Sequence, residues 1–138
     1  MKVGFIGLGI MGAPMAGHLQ KAGHELYLHD LAPSLPAVLL EGGAVACDSG
    51  QAVTEQAEVV ILMVPDTPDV EAALFGPHGV AEGLRPGQLV IDMSSISPTA
   101  TTAFAARIND LDCLYVDAPV SGGSIGAQNA TLTIMAGG

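Results

Sequence analysis

Basic side chains, aromatic side chains and cysteines are all scarce in this chain of 138 residues. Four lysines and arginines stand against 14 aspartates and glutamates, which gives a formal net charge of −10. Nucleic acids and anionic lipid surfaces bind proteins largely through clustered Lys and Arg. The charge balance therefore argues against both as partners, and we expect no nucleic acid and no membrane surface.

Cysteine occurs only twice, as Cys47 and Cys113, and the two share no short-spaced motif. This spacing indicates neither a disulfide framework nor a metal site. His24 and His29 flank a predicted strand without the spacing that would direct both rings to one ligand. We therefore predict no metal, two reduced thiols and a cytoplasmic protein.

Long uninterrupted apolar runs are also missing, although 49% of the residues are hydrophobic. No run reaches the roughly 18 residues of a membrane span. The N-terminal stretch is apolar after Lys2, as in a signal peptide, but four glycines interrupt it within its first 12 residues. We expect neither a spanning helix nor a secretion signal.

Short runs of Val, Ile and Leu are plentiful, and each is followed by a turn signal and a stretch with helical spacing. Strands buried on both faces form continuous apolar runs rather than alternating ones. The pattern predicts an α/β fold of the Rossmann type, a doubly wound and mostly parallel sheet with helices on both faces, as one domain over 1–138. The predicted strands are 2–7, 25–30, 44–47, 59–64, 89–93, 113–117 and 131–136.

Capping residues and glycines predict the helices between these strands. The first covers 12–22, the second 34–41, and the third runs to residue 56 with Ser49 as its N-cap. Thr67 is the predicted N-cap of a fourth helix, and Ser97-Pro98 predict an N-cap followed by proline at the first helical position. The Gly- and Pro-containing segment 76–88 is predicted to be a surface loop.

Three glycines between the first strand and the first helix have the spacing GxGxxG. The first permits a tight turn, the second lets the backbone approach a pyrophosphate, and the third lets the helix pack on the strand. Backbone amides and the positive end of the helix dipole then face the phosphates. The turn predicts a dinucleotide cofactor bound by Gly7, Leu8, Gly9, Ile10, Met11 and Gly12.

Asp30 ends the second predicted strand, 18 residues after Gly12, near the roughly 20 expected for an acid that binds the adenosine ribose. A carboxylate accepts hydrogen bonds from a free 2′-hydroxyl and repels a 2′-phosphate. The next three residues, Leu31, Ala32 and Pro33, supply no guanidinium. We therefore predict NAD in preference to NADP, with Asp30 and Leu31 at the cofactor.

Three longer motifs follow in order, GFIGLGIMGAPMAGHLQKAGHEL at 4–26, IDMSSISP at 91–98 and DAPVSGGSIGAQNATLTIMAGG at 117–138. Together they resemble the β-hydroxyacid dehydrogenases over essentially the whole chain. The resemblance implies an NAD(P)-dependent oxidoreductase of a small hydroxyacid or semialdehyde. IDMSSISP is more similar to the reductases of 2-hydroxy-3-oxopropionate (tartronate semialdehyde) than to the 3-hydroxyisobutyrate dehydrogenases, which are the alternative.

The resemblance also implies site residues. It implies that Val64, Pro65 and Ser95 contact the cofactor, with Ser95 beside the nicotinamide. It further implies that Ser121, Gly122 and Gly123 bind the substrate, with Ser121 catalytic. A hydroxyl and glycine amides can receive a carboxylate without a buried cation, although composition alone is equally typical of an ordinary turn.

The chain departs from the family pattern at several places. The family often has asparagine at His18, arginine near Leu31 in NADP-using members, and glycine at Ala130. Its catalytic lysine lies on a helical domain beyond residue 138, and neither Lys2 nor Lys21 is placed to replace it.

Further expectations concern the assembly. We expect the chain to stop at a domain edge, and the full-length enzyme to be a homo-oligomer. A dinucleotide-binding module without catalysis is the alternative from another class. Asp117 is expected to brace a loop rather than act as a general base.

Overall fold

The computed structural model describes residues 1–32 and 34–137; Pro33 and the predicted domain edge at Gly138 lie outside the described residues. Six parallel strands form one sheet in the order β3-β2-β1-β4-β5-β6. This order is that of the dinucleotide-binding Rossmann sheet, so the predicted fold class is confirmed. The strands are β1 (Lys2–Ile6), β2 (Glu25–His29), β3 (Val45–Ala46), β4 (Val59–Leu62), β5 (Leu89–Asp92) and β6 (Leu114–Asp117).

Helices cover both faces of this sheet. Packing on one face involves α1, α2 and α7, and packing on the other involves α3, α4, α5 and α6. The helices are α1 (Gly12–Lys21), α2 (Ala37–Glu41), α3 (Gly50–Gln56), α4 (Thr67–Phe75), α5 (Val80–Gly83), α6 (Pro98–Asn109) and α7 (Gly123–Asn129). In the described part of the chain, no helix is both long and apolar enough to span a bilayer.

The carboxyl ends of the strands meet at one edge of the sheet because all six run in the same direction. Ile6 pairs with His29 on one side and with Leu62 on the other, and Leu62 pairs with Asp92, which pairs with Asp117. The residues that follow these five therefore line the edge where ligands bind in open α/β sheets.

The seventh predicted strand, 131–136, is not part of this sheet. Only β8 (Thr133–Ile134) is extended, and it pairs antiparallel with β7 (Val120–Ser121). Thr131 to Ile134 alternate polar and apolar residues, which is typical of a half-exposed antiparallel ribbon rather than a strand buried on both faces. The predicted strand is wrong because an alternating segment buries one face only and pairs in a two-stranded ribbon instead of entering the main sheet.

The predicted surface loop at 76–88 contains α5, and its Val80 is fully buried. A Cβ on Gly83 would lie 2.6 Å from the carbonyl oxygen of Gln51, so α5 approaches α3 at backbone distance. The glycines of this segment therefore permit packing as well as turning, which is why the loop prediction failed.

Capping explains the other differences at the helix ends. Asp66, not Thr67, is the N-cap of α4, and it forms a capping box with Asp69. The second helix begins at Ala37 instead of residue 34, because Pro36 disfavours helical geometry in the residue before it. Ser49 and Ser97 cap α3 and α6 as predicted, accepting from amides three residues on at 3.1 and 3.3 Å.

Candidate functional site

The glycine turn, residues 7–12, connects β1 to α1 by close backbone contacts. A Cβ on Gly7 would collide with the carbonyl oxygen of Met63, and Gly7 also has a φ of 97°. A Cβ on Gly12 would collide with the carbonyl oxygen of Gly7. Gly9, in contrast, has open space within 4 Å of its Cβ position. Two glycines thus build the turn, and the third leaves room where a phosphate group would approach.

The first turn of α1 faces this open space. The helix is ten residues long and has no acidic residue in its first turn, so its positive end is not neutralised locally. Met11 occupies the N-cap position without a side-chain cap, and Ile10 is largely exposed. Leu8 is buried beneath the turn, and its backbone amide donates to the Asp30 carboxylate. The arrangement fits a pyrophosphate at the N-terminus of α1.

Asp30 lies immediately after β2 and contacts the glycine turn directly. The Leu8 amide donates to Oδ2 of Asp30 over 2.8 Å, and the Gly7 amide donates to the carbonyl of His29 over 3.1 Å. The second carboxylate oxygen, Oδ1, has a long contact of 3.5 Å with the Ala32 amide. One oxygen of Asp30 therefore organises the turn, while the other makes only this long contact within the described residues.

A cavity of about 390 Å³ extends from the glycine turn past Asp30. Gly7, Asp30, Leu31 and Val64, all predicted cofactor residues, line it together. Its wall also carries the polar side chains Asp48, Asp69, His29 and His78. The wall is rich in carboxylates and suits a ligand with hydroxyl or amino donors at this end.

The loops that follow β4 and β5 flank the other end of the site. Val64 is half-buried, whereas Pro65 and Ser95 are exposed. Two hydrogen bonds join the β5 loop (93–97) to the β4 loop (63–66) and to the start of α4. The Val64 amide donates to Oγ of Ser94 over 2.9 Å, and the Ser97 amide donates to Oγ1 of Thr67 over 3.2 Å. The two loops therefore form one bonded unit.

Asp92, Ser94 and Tyr115 are buried at this edge, and none of the three is among the site residues predicted from the sequence. The Tyr115 hydroxyl donates to Oδ2 of Asp92 over 2.7 Å, and the Ser94 amide donates to Oδ1 over 3.0 Å. A signal was present, because a carboxylate at the end of the apolar run LVIDM is unusual in a strand buried on both faces. Tyr115 and Ser94 carry no comparable sequence signal.

The electrostatics of this cluster follow from its burial. Burial raises the pKa of the Asp92 carboxyl above its ordinary value; hydrogen bonds from Tyr115 and Ser94 act in the opposite direction, and the charge of Asp117 adds to the increase. Burial and the contact with Asp92 raise the pKa of the Tyr115 phenol. Tyr115 therefore stays protonated and acts as the donor.

Ser121, Gly122 and Gly123 form an exposed turn between β7 and α7. The φ angles of Gly122 and Gly123 are 128° and 61°, so this turn needs glycine at both positions. They follow the end of β6 by only a few residues, yet they do not line the 390 Å³ cavity, and neither does Ser95. Asp117 bridges to Gly137 through its backbone.

His18 connects α1 to the helix that follows this turn. Its Nε2 lies 2.7 Å from the carbonyl oxygen of Ala127 and 3.0 Å from that of Gln128. Because carbonyl oxygens only accept hydrogen bonds, Nε2 carries the proton. His18 thus joins the glycine-turn helix to α7.

Comparison with known proteins identifies the family. The family model for the NAD-binding domain of 6-phosphogluconate dehydrogenase matches residues 2–138. The chain is 51% identical over 138 residues to 2-hydroxy-3-oxopropionate reductase of Escherichia coli, covering all of this chain and 47% of the relative. It is 42% identical over 137 residues to NAD-dependent L-serine dehydrogenase of Pseudomonas aeruginosa, covering 99% of this chain and 46% of that protein.

A solved structure agrees with these relatives. The 3-hydroxyisobutyrate dehydrogenase of Mycobacterium tuberculosis, solved with L-serine, superposes with a TM-score of 0.91 at 38% identity, covering 99% of this chain and 46% of the other. The chain therefore spans about half the length of the relatives it matches. These findings confirm the resemblance to the β-hydroxyacid dehydrogenases and support NAD or NADP as the cofactor. The chain belongs to the family of the NAD-binding domain of 6-phosphogluconate dehydrogenase.

Proposed function

We propose that this chain is the cofactor-binding part of an NAD-dependent dehydrogenase of short 3-hydroxyacids, with 2-hydroxy-3-oxopropionate as its substrate and D-glycerate as its product. The observation that carries the proposal is the shared cavity of Gly7, Asp30 and Val64 beside the open position of Gly9, a site that fits a dinucleotide. The 51% identity to a 2-hydroxy-3-oxopropionate reductase supports the choice of substrate.

The residues of this chain have separate tasks in that reaction. The amides of residues 9–12 and the positive end of α1 hold the pyrophosphate, and Asp30 accepts from a ribose hydroxyl. Val64, Pro65 and Ser95 orient the nicotinamide ring, which supplies a hydride when the cofactor is bound. The Ser121 hydroxyl and the amides of Gly122 and Gly123 hold the substrate carboxylate. That turn is exposed and thus accessible to a ligand.

The proton donor in this proposal comes from outside these 138 residues. Lys2 lies at the start of β1, and Lys21 is the last residue of α1, whose direction is opposite to that of the strands. Both therefore lie at the amino ends of the strands, whereas the glycine turn lies at the carboxyl ends. A lysine in a further part of the full-length enzyme would protonate the substrate oxygen, as the family resemblance implies.

NAD is the proposed cofactor rather than NADP because Asp30, the residue expected at the adenosine ribose, shares its cavity with two further carboxylates. Asp48 and Asp69 line the same cavity. The two arginines of the chain are bonded elsewhere: Arg85 donates to the carbonyl of Glu55, and Arg107 stacks on Phe75. A 2′-phosphate would meet like charges and no guanidinium.

The cofactor preference can be tested by substitution of Asp30 by Arg. We expect Asp30→Arg to raise the ratio of NADPH to NADH affinity by about tenfold or more, since it removes a repelling charge and adds a phosphate ligand. Asp110→Arg makes the same charge change at the end of α6 and is expected to leave the ratio unchanged. Equal shifts in both variants would contradict a local role for Asp30.

The substrate is tested with the native full-length polypeptide, purified from its source. We expect NADH oxidation with 2-hydroxy-3-oxopropionate to exceed NAD reduction with 3-hydroxyisobutyrate in kcat/KM. The opposite order would favour the alternative dehydrogenase, which the similarity to the M. tuberculosis enzyme supports. Tight NADH binding without turnover of either substrate would instead favour a dinucleotide-binding module.

The surroundings and assembly of the enzyme are part of the same proposal. Cys47 and Cys113 are both free thiols, which fits the reducing cytoplasm. We propose a homo-oligomer for the full-length protein on the strength of the family resemblance, and light scattering of that protein tests it.

A further inference from the structure

A chain of hydrogen bonds crosses three strand ends beneath the predicted nicotinamide site. The Tyr115 hydroxyl of β6 and the Ser94 backbone amide both donate to the Asp92 carboxylate on β5, and the Val64 amide after β4 donates to the Ser94 hydroxyl. These contacts measure 2.7, 3.0 and 2.9 Å. Asp92 is fully buried, and Ser94 and Tyr115 are 3% and 6% exposed. We call these three side chains the Asp92 network.

Burying a carboxylate between strands costs free energy, because the charge loses its contact with water. The Asp92 carboxylate accepts from the Tyr115 phenol and from the Ser94 backbone amide. Apolar residues of similar volume often stabilise such a position better than a buried charge does. Retaining the charge fits a role in geometry, because a carboxylate fixes the direction of each donor that it accepts from.

The segment fixed by this network lies against the cofactor cavity. Val64 lines that cavity, and the carbonyl of Met63, the residue before it, is in backbone contact with the glycine turn at Gly7. Ser94 immediately precedes Ser95, the residue expected beside the nicotinamide. The network therefore sets the position of both loops that surround the ring.

We infer that Asp92, Ser94 and Tyr115 are positioning residues for the nicotinamide half of the cofactor, acting through the Val64 amide and the β5 loop. The inference rests on the proposed function, since it requires a bound nicotinamide. Ser94 contacts the Val64 amide, Asp92 holds the Ser94 amide, and Tyr115 holds Asp92. None of the three transfers a proton or hydride itself. We expect their effect to fall mainly on the nicotinamide half of the dinucleotide.

The test compares two ligands on the chain of 138 residues. NADH carries the nicotinamide, whereas ADP-ribose keeps the adenosine and pyrophosphate but lacks the ring. Ser94→Ala removes the acceptor for the Val64 amide and is expected to weaken NADH binding by roughly 3- to 10-fold, the effect of one hydrogen bond. ADP-ribose affinity is expected to change less than about twofold. Isothermal titration measures both, and NADH fluorescence reports the surroundings of the ring.

Cys113→Ala is the matched control. It also truncates a buried side chain by one heteroatom. Cys113, however, immediately precedes β6, at the amino ends of the strands and away from the cofactor site. We expect it to leave the ratio of the two affinities unchanged. Tyr115→Phe provides a second test should Ser94→Ala fail to fold, and is expected to shift the ratio in the same direction by about two- to threefold.

The possible outcomes separate the two proposals. Equal weakening of NADH and ADP-ribose, or no weakening of either, in Ser94→Ala or Tyr115→Phe would overturn the positioning role while leaving cofactor binding intact. Failure of the unaltered chain to bind either ligand would overturn the proposed function and the inference together. Selective loss of NADH affinity supports both.

Discussion

The two ends of the cofactor site are built in different ways. At the glycine turn, the absence of side chains lets main-chain atoms meet, as between Gly7 and the carbonyl of Met63. At the other end, buried side chains of Asp92, Ser94 and Tyr115 hold the loops by hydrogen bonds. The first end depends on steric fit and the second on polar partners. Substitutions should therefore damage them in distinguishable ways.

The largest effect is expected at the glycine turn. Gly12→Ala places a Cβ against the carbonyl oxygen of Gly7, which is backbone and cannot rotate away. We expect a loss of about 3 kcal/mol in the free energy of unfolding, at the upper end for overpacking, together with loss of NADH binding. Urea unfolding and NADH titration measure the two effects.

Gly9→Ala is the control for this variant within the same turn. Open space surrounds its Cβ position, so stability is expected to stay within about 0.5 kcal/mol. NADH binding should still weaken about tenfold, because the methyl group occupies the approach to the phosphates. Similar stability losses in both variants would contradict the steric explanation of the turn.

At the other end, Tyr115→Phe tests the polar partners. The variant leaves Oδ2 of a fully buried carboxylate without its donor, and we expect a loss of about 2 kcal/mol in the free energy of unfolding. Tyr27→Phe changes the other tyrosine of the chain, which is only half-buried on β2, and should cost less than about 0.5 kcal/mol. Equal costs would show that the Asp92 contact adds no stability.

The pH dependence of stability sharpens the same contrast. Because burial raises the pKa of Asp92, its protonated form stabilises the fold. That contribution is complete below the ordinary carboxyl value near 4 and is lost as pH rises through the raised value. Asp92→Asn removes this titration. The free energy of unfolding of the variant should therefore rise relative to that of the wild type as the pH increases from about 4 towards 7. Parallel curves from urea unfolding across this range would contradict the raised pKa.

The smallest effect is expected outside both ends, at the residue that ends α7. Ala130 has a left-handed conformation with φ 56°, where the family usually has glycine. Ala130→Gly should raise the free energy of unfolding by about 1 kcal/mol, since glycine adopts this conformation without strain. Ala106→Gly, at an exposed interior position of α6, should lower it by about 1 kcal/mol. A loss in both variants would show that Ala130 is not strained.

Sequence patterns predicted the parts of the molecule that depend on local geometry. The runs of Val, Ile and Leu located the six strands of the main sheet along the chain, and the spacing of Gly7, Gly9 and Gly12 located the turn that the structure places beside Asp30. Asp92 and Tyr115 are 23 positions apart, and their pairing depends on the register of β5 against β6. No local pattern encodes that register, so the network became visible only in the folded chain. The roles of the individual site residues remain predictions.

The hydrogen bond from the Leu8 amide to Asp30 joins the glycine turn to the end of β2 as part of the fold itself. It restricts the conformational entropy of the turn, so that cofactor binding is favoured by preorganisation. Affinities measured for Asp30 variants will accordingly combine two contributions, the contact with the ribose and the ordering of the turn. Association rates separate them, because a turn that must first become ordered slows capture, whereas a missing ribose contact speeds release.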